Sequence, residues 1–336
     1  MFDVMQQHQL QELHFFQRGQ LNAIVAIHST QLGPALGGCR IVKYQDFQQA
    51  VVDAARLARG MSYKSAVAQV ACGGGKAVII EPDGSYDRAE LFHQFGRCVE
   101  SLKGRYITAM DAGSSIADMD VIHTETDYVA SHNGIGDPSP FTAEGVYQAI
   151  KASLNFHLGK SIAESVIAIQ GLGNVGYRLL SRLVAEGATV MVADISQEKT
   201  LQAMKEFGVF VAPVNDILFE PCDVLAPCGL GGVLTESNIP LLNCKIVAGC
   251  ANNQLENEVA GQMLHERKIL FAPDYVINSG GLIFAHSRFN GKSEEFISSR
   301  VDSLSATLLD IFLRAREEFK GPELVAREIA LERLGQ

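Results

Sequence analysis

The sequence predicts an α/β protein of two domains, the second of them built on a doubly wound parallel sheet. Three observations support this fold class. The chain has 336 residues, enough for two domains of ordinary size. From residue 142 onward, apolar runs of strand length alternate with helical patterns, which is typical of a parallel sheet covered by helices on both faces. A glycine-rich turn also joins one of these strands to the helix that follows it.

The individual elements follow from hydrophobic periodicity and from helix caps. Short apolar runs predict strands at 21–28, 77–80, 106–109, 128–130, 166–169, 189–193, 223–226, 245–248 and 269–272. Apolar residues at helical spacing predict helices at 46–60, 87–102, 142–158, 174–186, 197–207, 293–320 and 323–334. The segment His132–Pro140 is rich in Gly, Pro, Ser and Asp, so we expect a hinge there. The predicted domains are residues 1–140 and 141–321, with a C-terminal helix at 322–336 packed back on the first.

Charge and composition exclude several classes of protein. The chain carries 28 Lys and Arg against 38 Asp and Glu, a net charge of −10, and it has no basic run to bind nucleic acid or an anionic membrane. The sequence shows no signal peptide and no apolar run of about 18 residues. The seven cysteines form no CxxC pair, and no His, Cys and carboxylate cluster suggests a metal. We therefore expect a cytoplasmic protein with reduced cysteines and no metal.

The glycine-rich turn has the spacing of a dinucleotide-binding motif. Gly171, Gly173 and Gly176, with Asn174 and Val175 between them, follow the apolar run VIAI and open a helix. Glycines at these positions allow a tight turn, close approach of pyrophosphate and tight helix packing. Asp194 ends the next strand, where a carboxylate can bind ribose hydroxyls, and no Arg follows it. We predict a Rossmann-type domain that binds NAD rather than NADP; the alternative is a glycine turn that only packs a helix on the sheet.

Two lysines and an aspartate in the predicted first domain are candidates for a second functional site. Lys64 and Lys76 are twelve residues apart among small and apolar residues, and Asp111 follows a short strand. Lys76 comes directly after three glycines, where missing side-chain bulk would let a ligand approach closely, and it enters the apolar run AVII. Burial there would lower its pKa and suit it to acid–base chemistry. The alternative, a lysine at a strand end with its ammonium group in water, remains open on these residues alone. Arg40 is expected to pair with an acid and is given no catalytic role.

Nine segments in this order resemble the glutamate/leucine/phenylalanine/valine dehydrogenase superfamily, nearest its leucine and valine branch. They are LGPALGGCR, ARGMSYK, GGGKAVII, YITAMDAGSS, GDPSPFTAEGVY, IQGLGNVGY, APCGLGGVLT, VAGCANNQL and FAPDYVINSGG. The resemblance covers nearly the whole chain. It implies an N-terminal α/β substrate domain, a C-terminal Rossmann domain, and oxidative deamination of an L-amino acid with NAD(P). Met110 and Glu144 depart from the family pattern.

The resemblance also implies a role for individual residues. Lys64 would bind the substrate α-carboxylate, while Lys76 and Asp111 would be the catalytic lysine and aspartate. Asn278 would touch the carboxylate or amino end of the substrate. Three further residues would lie near the nicotinamide or face the cofactor: Thr142, Asn252 and Asn253.

Substrate choice depends on four apolar positions. Glutamate enzymes of the family carry a lysine immediately before the pair Gly37-Gly38, where this chain has Leu36. The other positions that would line the side-chain pocket are Ala109, Leu282 and Ala285. A charged side chain would be buried unpaired against them, so a branched-chain amino acid is favoured over glutamate.

Two other functions stay open at this stage. The small residues among those four leave room for an aromatic amino acid on the same scaffold, which relative rates with phenylalanine and tryptophan would reveal. The chain could instead be a non-catalytic NAD-binding sensor, although the presence of both lysines and the aspartate speaks against it. The family resemblance implies a homo-oligomer of at least two subunits, with an amino acid as the small-molecule partner.

Overall fold

The computed structural model describes all residues, 1–336, and they form two compact units. The first unit comprises residues 1–137, 284–293 and 330–336, and the second comprises 138–283 and 294–329. The first crossing of the chain between units falls inside the segment predicted as a hinge. We expected a division after residue 140 and another after residue 321; the units divide instead after Asp137, and a stretch of ten residues from Phe284 belongs to the first unit.

The first unit contains a five-stranded mixed sheet with helices on both faces. Its elements are α1 (Phe2–His8), β1 (Glu12–Arg18), β2 (Leu21–Ser29), β3 (Ala35–Val42), α2 (Phe47–Val67), β4 (Gly73–Ile80), α3 (Arg88–Ser101), β5 (Tyr106–Met110) and α4 (Ile116–His123). The strands lie in the order β1-β2-β4-β3-β5. β1 and β4 run antiparallel to β2, while β4 and β5 run parallel to β3.

Side-chain alternation along these strands supplies two cores. Val25, Ile27 and Ile79 point to the face covered by α3 and α4, and Ile24 and Val78 point to the face covered by α1 and α2. The capping Asp residues predicted for α2 and α3 accept backbone N–H bonds at the helix starts, as N-caps do. The carboxyl ends of the parallel strands β3 and β5 are therefore held side by side.

The second unit contains a six-stranded parallel sheet. Its elements are α5 (Ser139–Leu158), β6 (Val166–Gln170), α6 (Asn174–Ala185), β7 (Thr189–Ala193), α7 (Gln197–Phe207), β8 (Phe210–Val211), β9 (Val224–Pro227), β10 (Ile246–Val247), α8 (Glu258–Glu266), β11 (Leu270–Phe271), α9 (Asp274–Ile277), α10 (Gly280–Phe289), α11 (Glu294–Asp302), α12 (Leu304–Glu318) and α13 (Pro322–Arg333). The last residues of α10 and α13 belong to the first unit.

The order of these strands is β11-β10-β9-β6-β7-β8, all parallel. If β6 is counted as the first strand, this is the doubly wound order. The strands β7 and β8 are added on one side of β6, and the strands β9, β10 and β11 are added on its other side. Both alternating sets of strand side chains are buried, for example Ile167 and Ala168, so helices cover both faces. The predicted α/β class with a doubly wound parallel sheet is confirmed. No helix is long and apolar enough to cross a membrane.

Several local predictions were wrong or incomplete. The structure has a helix α1 and an edge strand β1 before residue 21, where no element was predicted. The prediction also missed β3, α4, β8, α8, α9 and α10, and the helix predicted at 46–60 continues to Val67. The residues predicted as a strand at 128–130 make only a single parallel bridge between Val129 and Thr108. The helix predicted over 293–320 is interrupted at Ser303, whose hydroxyl bonds the carbonyl of Arg300. Serine often competes for backbone groups in this way, and a hydrophobic pattern cannot reveal it.

Candidate active site

Buried Lys76 and half-buried Asp111 form an ion pair in the first unit. The Nζ of Lys76 lies 2.6 Å from Oδ2 of Asp111, and their side chains are 7% and 28% exposed. Burial is the main cause that lowers the pKa of Lys76, and the nearby charge of Arg40 lowers it further, against the opposing effect of Asp111. The alternative of a solvated strand-end lysine is therefore wrong. Burial alone would raise the pKa of Asp111, but Lys76 and Arg40 outweigh it, so that pKa is lowered.

Arg40 binds the same carboxylate oxygen of Asp111. Its Nε donates to Oδ2 of Asp111 at 3.0 Å, and its Nη1 donates to Oδ2 of Asp53 at 2.9 Å. The hydroxyl of Tyr44 also donates to Asp53, at 2.7 Å. Arg40 is half-buried, which alone would lower its pKa, but the carboxylates of Asp111 and Asp53 raise it. The guanidinium group therefore fixes Asp111 in position and remains charged, as paired buried charges require.

Close packing of the backbone at several glycines positions Lys76 and Asp111. A Cβ at Gly38 would lie 2.6 Å from Cβ of Asp111, and one at Gly37 would lie 1.7 Å from the carbonyl oxygen of Gly75. A Cβ at Gly74 would lie 2.1 Å from the backbone N of Ser62 on α2. We had interpreted the triple glycine before Lys76 as room for a ligand. The structure shows instead that these glycines let α2 and neighbouring strands approach β4.

The other residues predicted to contact the substrate lie on α2, β3, β5 and α10. Lys64 is half-buried on α2, two residues after the Ser62 that packs on Gly74. Leu36 is buried on β3, and Ala109 is half-buried on β5, paired in register with Gly38. Ala285 is buried on α10, three residues after Leu282, so the two share one side of that helix.

The glycine turn of the second unit lies at the switch point of the sheet. Gly171 follows β6 with a φ of +100°, and a Cβ there would lie 2.7 Å from the backbone N of Gly229, beyond β9. A Cβ at Gly176 would lie 2.1 Å from the carbonyl oxygen of Gly171, so this glycine lets α6 pack against the turn. A Cβ at Gly173 would meet no atom of the protein within 4 Å. Internal packing therefore explains Gly171 and Gly176 but not Gly173.

The turn offers the groups that a dinucleotide requires. Gly173 is the N-cap of α6 and supplies no side-chain cap, and the first turn of the helix holds no acidic residue. The backbone N–H groups at Asn174 and Val175 and the positive end of the helix dipole are thus available for phosphate. Asp194 accepts the N–H of Leu172 at 2.6 Å and that of Ser196 at 2.8 Å. These bonds hold its carboxylate beside the turn, at the end of β7, where ribose hydroxyls can reach it.

Asn278 and Asn252 form one hydrogen-bonded group. The Nδ2 of Asn278 donates to the carbonyl of Cys250 at 3.1 Å and to Oδ1 of Asn252 at 3.0 Å. The Oδ1 of Asn278 is buried and accepts no hydrogen bond from the protein, which leaves an acceptor for a ligand. The backbone N–H of Asn253 donates to Asp274 at 2.5 Å. A Cβ at Gly280 would lie 2.1 Å from the carbonyl oxygen of Phe141, so the start of α10 packs against the first turn of α5, where Thr142 lies.

Sequence reasoning missed two positioning residues. Arg40 was expected to pair with an acid, but its bond to Asp111 was not foreseen. Gln254 is buried, and its Nε2 donates to the carbonyls of Gly249 at 2.7 Å and Ala251 at 3.1 Å, which fixes the loop after β10. The only signal for Gln254 was a polar residue beside the two asparagines. No group of three or more His, Cys, Asp or Glu side chains is placed to hold a metal.

A Lys–Asp ion pair on one α/β unit and a dinucleotide-type turn on the other are typical of a nucleotide-dependent oxidoreductase. Residues 10–128 match the family model described as "Glu/Leu/Phe/Val dehydrogenase, dimerisation domain". Residues 192–304 match "Glutamate/Leucine/Phenylalanine/Valine dehydrogenase". The chain belongs to this family of amino-acid dehydrogenases, as its sequence motifs predicted, and membership implies a nicotinamide coenzyme.

Individual relatives agree with this assignment. The leucine dehydrogenase of Geobacillus stearothermophilus is 41% identical over 99% of this chain and 93% of the relative. The valine dehydrogenase of Streptomyces albus is 41% identical over 94% of this chain and 89% of the relative. The crystal structure of L-tryptophan dehydrogenase from Nostoc punctiforme has a TM-score of 0.88 and 38% identity, covering 100% of this chain and 98% of that one.

Proposed function

We propose that this protein catalyses the reversible, NAD-dependent oxidative deamination of a branched-chain L-amino acid to the 2-oxo acid and ammonia. The observation that carries the proposal is the 2.6 Å contact between Nζ of Lys76 and Oδ2 of Asp111. The reaction removes a proton from the substrate ammonium group and later moves protons on and off a water molecule. A buried carboxylate and a lysine of lowered pKa are suited to these transfers.

Three residues have distinct parts in this reaction. Lys64 binds the substrate α-carboxylate as a point charge. Asp111 accepts the proton of the substrate ammonium group and, after water has been added to the imine, returns a proton to the departing ammonia. Lys76 donates a hydrogen bond to the oxygen that develops at Cα and helps to position the attacking water. When bound, the nicotinamide coenzyme accepts the hydride from Cα.

The proposed coenzyme is NAD rather than NADP. The carboxylate of Asp194 is held by two backbone N–H groups beside the glycine turn. Its remaining acceptor capacity suits the adenosine ribose hydroxyls, whereas a 2′-phosphate would be repelled. The following residues Ile195, Ser196 and Gln197 supply no cation for such a phosphate. The open position at Gly173 and the uncapped start of α6 fit the pyrophosphate.

The proposed substrate side chain is aliphatic. It would contact Leu36, Ala109, Leu282 and Ala285, which carry no polar side-chain atom. A glutamate carboxylate buried against these residues would lose its hydration without gaining a partner. An aromatic amino acid is the second candidate, supported by the small size of two of these residues and by the similarity to L-tryptophan dehydrogenase.

We also propose that the protein works in the cytoplasm as a homo-oligomer. The strand β1 lies at an edge of its sheet, and exposed Phe15 on it packs against exposed Phe47 at 5.6 Å between ring centroids. An uncovered edge strand with aromatic residues beside it is suited to pairing with a second subunit. Light scattering on the purified full chain, alone and with Phe15→Lys, tests this: the variant should have a smaller mass.

A substrate panel tests the function. Initial rates of NADH formation are measured at alkaline pH with L-leucine, L-valine, L-isoleucine, L-phenylalanine, L-tryptophan and L-glutamate, and with NADP in place of NAD. We expect the highest kcat/KM with an aliphatic substrate and NAD. Turnover of glutamate alone would overturn the pocket assignment, and a preference for tryptophan or phenylalanine would favour the second candidate. Binding of NAD without turnover of any amino acid would favour a sensor.

A further inference from the structure

Two cysteines lie side by side beyond the carboxyl ends of neighbouring strands in the second unit. β9 and β10 pair in parallel through Val224 with Ile246 and Leu225 with Val247. The backbone bonds continue past both strands, since the N–H of Ala251 donates to the carbonyl of Pro227 at 2.9 Å. Cys228 and Cys250 are therefore on adjacent segments. Neighbouring strands lie about 4.8 Å apart, which is within the range of Cα separations that a disulfide spans.

The thiol of Cys250 is directed at Cys228. Its Sγ donates to the carbonyl oxygen of Cys228 at 3.9 Å, and no disulfide joins any cysteine of the chain. The neighbouring side chain of Cys250 is the largest influence on Cys228 and lowers its pKa, although burial opposes this. Both residues are half-buried, so a small oxidant can reach them.

The same two strands offer an internal comparison at their amino ends. Cys222 precedes β9 by two residues and Cys244 precedes β10 by two residues. Burial raises the pKa of Cys222, and it raises the pKa of Cys244 to about 11. Because the thiolate is the form that reacts with oxidants, Cys228 is the thiol expected to react first, while the pair at the amino ends is a matched control.

Cys228 and Cys250 both contact parts of the candidate active site. The N–H of Cys228 donates to the carbonyl of Gln170 at 2.7 Å, immediately before the glycine turn. A Cβ at Gly176 would lie 3.2 Å from Cβ of Cys228, so this side chain packs under the first turn of α6. The carbonyl of Cys250 accepts a hydrogen bond from Asn278. If either cysteine moves, the glycine turn or Asn278, which contact them, should therefore move as well.

We propose that Cys228 and Cys250 are a reversible oxidation site, whose disulfide weakens coenzyme binding. The thiolate of Cys228 attacks one oxygen of a hydroperoxide, which forms an S–O bond, breaks the O–O bond and releases water or an alcohol. The sulfur of Cys250 then attacks the sulfenic acid, so an S–S bond forms, the S–O bond breaks and water leaves. The two thiols lose two electrons and two protons, and the peroxide is reduced. A dithiol reductant reverses the change.

A disulfide would move the glycine turn, because it would bring Cys250 closer to Cys228 than the present hydrogen bond does. The sulfur atoms must come to about 2.05 Å, which draws the segments after β9 and β10 together. Gly171 and Gly176 have no spare distance to the segment at Cys228, so the turn must shift with it. One lost hydrogen bond to a charged phosphate corresponds to about a tenfold weaker affinity.

The experiment uses the full chain, reduced with dithiothreitol, desalted and then treated with hydrogen peroxide. Tryptic cleavage after Lys205, Lys245 and Arg267 leaves peptide 206–245, with Cys222, Cys228 and Cys244, and peptide 246–267, with Cys250. Mass spectrometry without reduction should find the two peptides joined, two hydrogens lighter than their sum. A loss of two hydrogens within 206–245 alone would place the disulfide at the control pair and overturn the proposal.

Coenzyme affinity is measured on the same samples by the change in NADH fluorescence on binding. Oxidation should weaken binding by about tenfold, and dithiothreitol should restore it. Cys250→Ser should lose both the cross-link and the sensitivity, while Cys244→Ser should keep both. The proposal is overturned if the two peptides stay separate, if cross-linked protein binds NADH as tightly as reduced protein, or if Cys250→Ser remains equally sensitive. The effect on coenzyme affinity rests on the proposed function, whereas the cross-link does not. If the reduced protein fails to bind NADH, the proposed function fails, and the cross-link can still be tested by itself.

Discussion

The Nε of Arg40 donates to Oδ2 of Asp111 at 3.0 Å, the same oxygen that lies 2.6 Å from Nζ of Lys76. One carboxylate oxygen is thus held between two cations, of which only Arg40 is anchored elsewhere, through Asp53. This arrangement gives Arg40 a positioning role: it fixes the orientation of Asp111 and depresses its pKa, while Lys76 remains available to the substrate.

Replacing Arg40 should move the pH profile of the enzyme. In Arg40→Gln, Asp111 loses a stabilising cation and Lys76 loses a repelling one, so the pKa of each group should rise. Both limbs of the kcat/KM profile should therefore move to higher pH, and kcat should fall about tenfold or more because Asp111 is less well oriented. Arg56→Gln is the control, since Arg56 bonds only the other oxygen of Asp53, at 3.3 Å. An unchanged profile in Arg40→Gln would contradict this role.

Gly38→Ala should displace Asp111. The added Cβ would lie 2.6 Å from Cβ of Asp111, so the strand end must shift, and activity should fall about a hundredfold. Gly60→Ala is the matched control because its Cβ would meet nothing within 4 Å. Gly60 lies inside α2, so alanine should stabilise the protein by about 0.5–1 kcal/mol without loss of rate. Steady-state kinetics and urea unfolding measure both effects; equal kinetics for the two variants would refute the explanation.

Alanine substitutions at Gly173 and Gly176 should distinguish a glycine needed for ligand binding from a glycine needed for packing. Gly173→Ala adds a methyl group that meets no protein atom, so the melting temperature should stay unchanged while NADH affinity falls. Gly176→Ala would place its Cβ 2.1 Å from the carbonyl oxygen of Gly171, so this variant should lose stability as well as affinity. Thermal unfolding and NADH titration on both variants check the prediction. A destabilised Gly173→Ala that binds NADH normally would reverse the assignment.

Asp118 should make stability depend on pH. It accepts two bonds from Arg88 at 2.8 Å each and closes the capping box with Ser115 at the start of α4. Burial alone would raise the pKa of Asp118, but Arg88 and Ser115 outweigh it, so that pKa is lowered. A carboxylate with a depressed folded-state pKa stabilises the protein fully above its unfolded value, about 4, and this contribution is lost as the pH falls through the folded value.

The expected cost of Asp118→Asn at neutral pH is about 1–2 kcal/mol. Its difference in unfolding free energy from the natural chain should shrink below about pH 4. Urea unfolding at neutral and acidic pH measures this, with exposed Asp83→Asn as the control. A difference that stays constant across the pH range would show that shape, rather than charge, is responsible.

The fold of the second unit was largely predictable from sequence because its strands are short, continuous apolar runs set between helical patterns. The motif from Gly171 to Gly176 fixed where the first of these strands ends. The first unit was less predictable, because its edge strand Glu12–Arg18 is mostly polar or half-buried and carries no clear alternation. An edge strand needs only one partner, and that partner lies in β2 rather than in the local sequence.

For the candidate site, the sequence indicated residues of the Lys76–Asp111 ion pair but not how they are arranged. The motifs named Lys76 and Asp111, yet their contact depends on the pairing of β3 with both β4 and β5, which joins residues distant in the chain. The reason for the triple glycine was misjudged because sequence shows missing bulk without showing what occupies the space. The contact of Arg40 with Asp111 spans 71 residues, and no local pattern indicates it.

The most direct test of the account is single-turnover formation of NADH by Asp111→Asn with saturating L-leucine and NAD. Asparagine keeps the shape of the side chain but cannot take a proton, so coenzyme binding should persist while the rate falls by about a thousandfold. Asp83→Asn, at the exposed Lys43–Asp83 pair of the same unit, should retain the natural rate. A rate in Asp111→Asn within a few-fold of the natural enzyme would contradict the claim that this carboxylate carries the proton transfers.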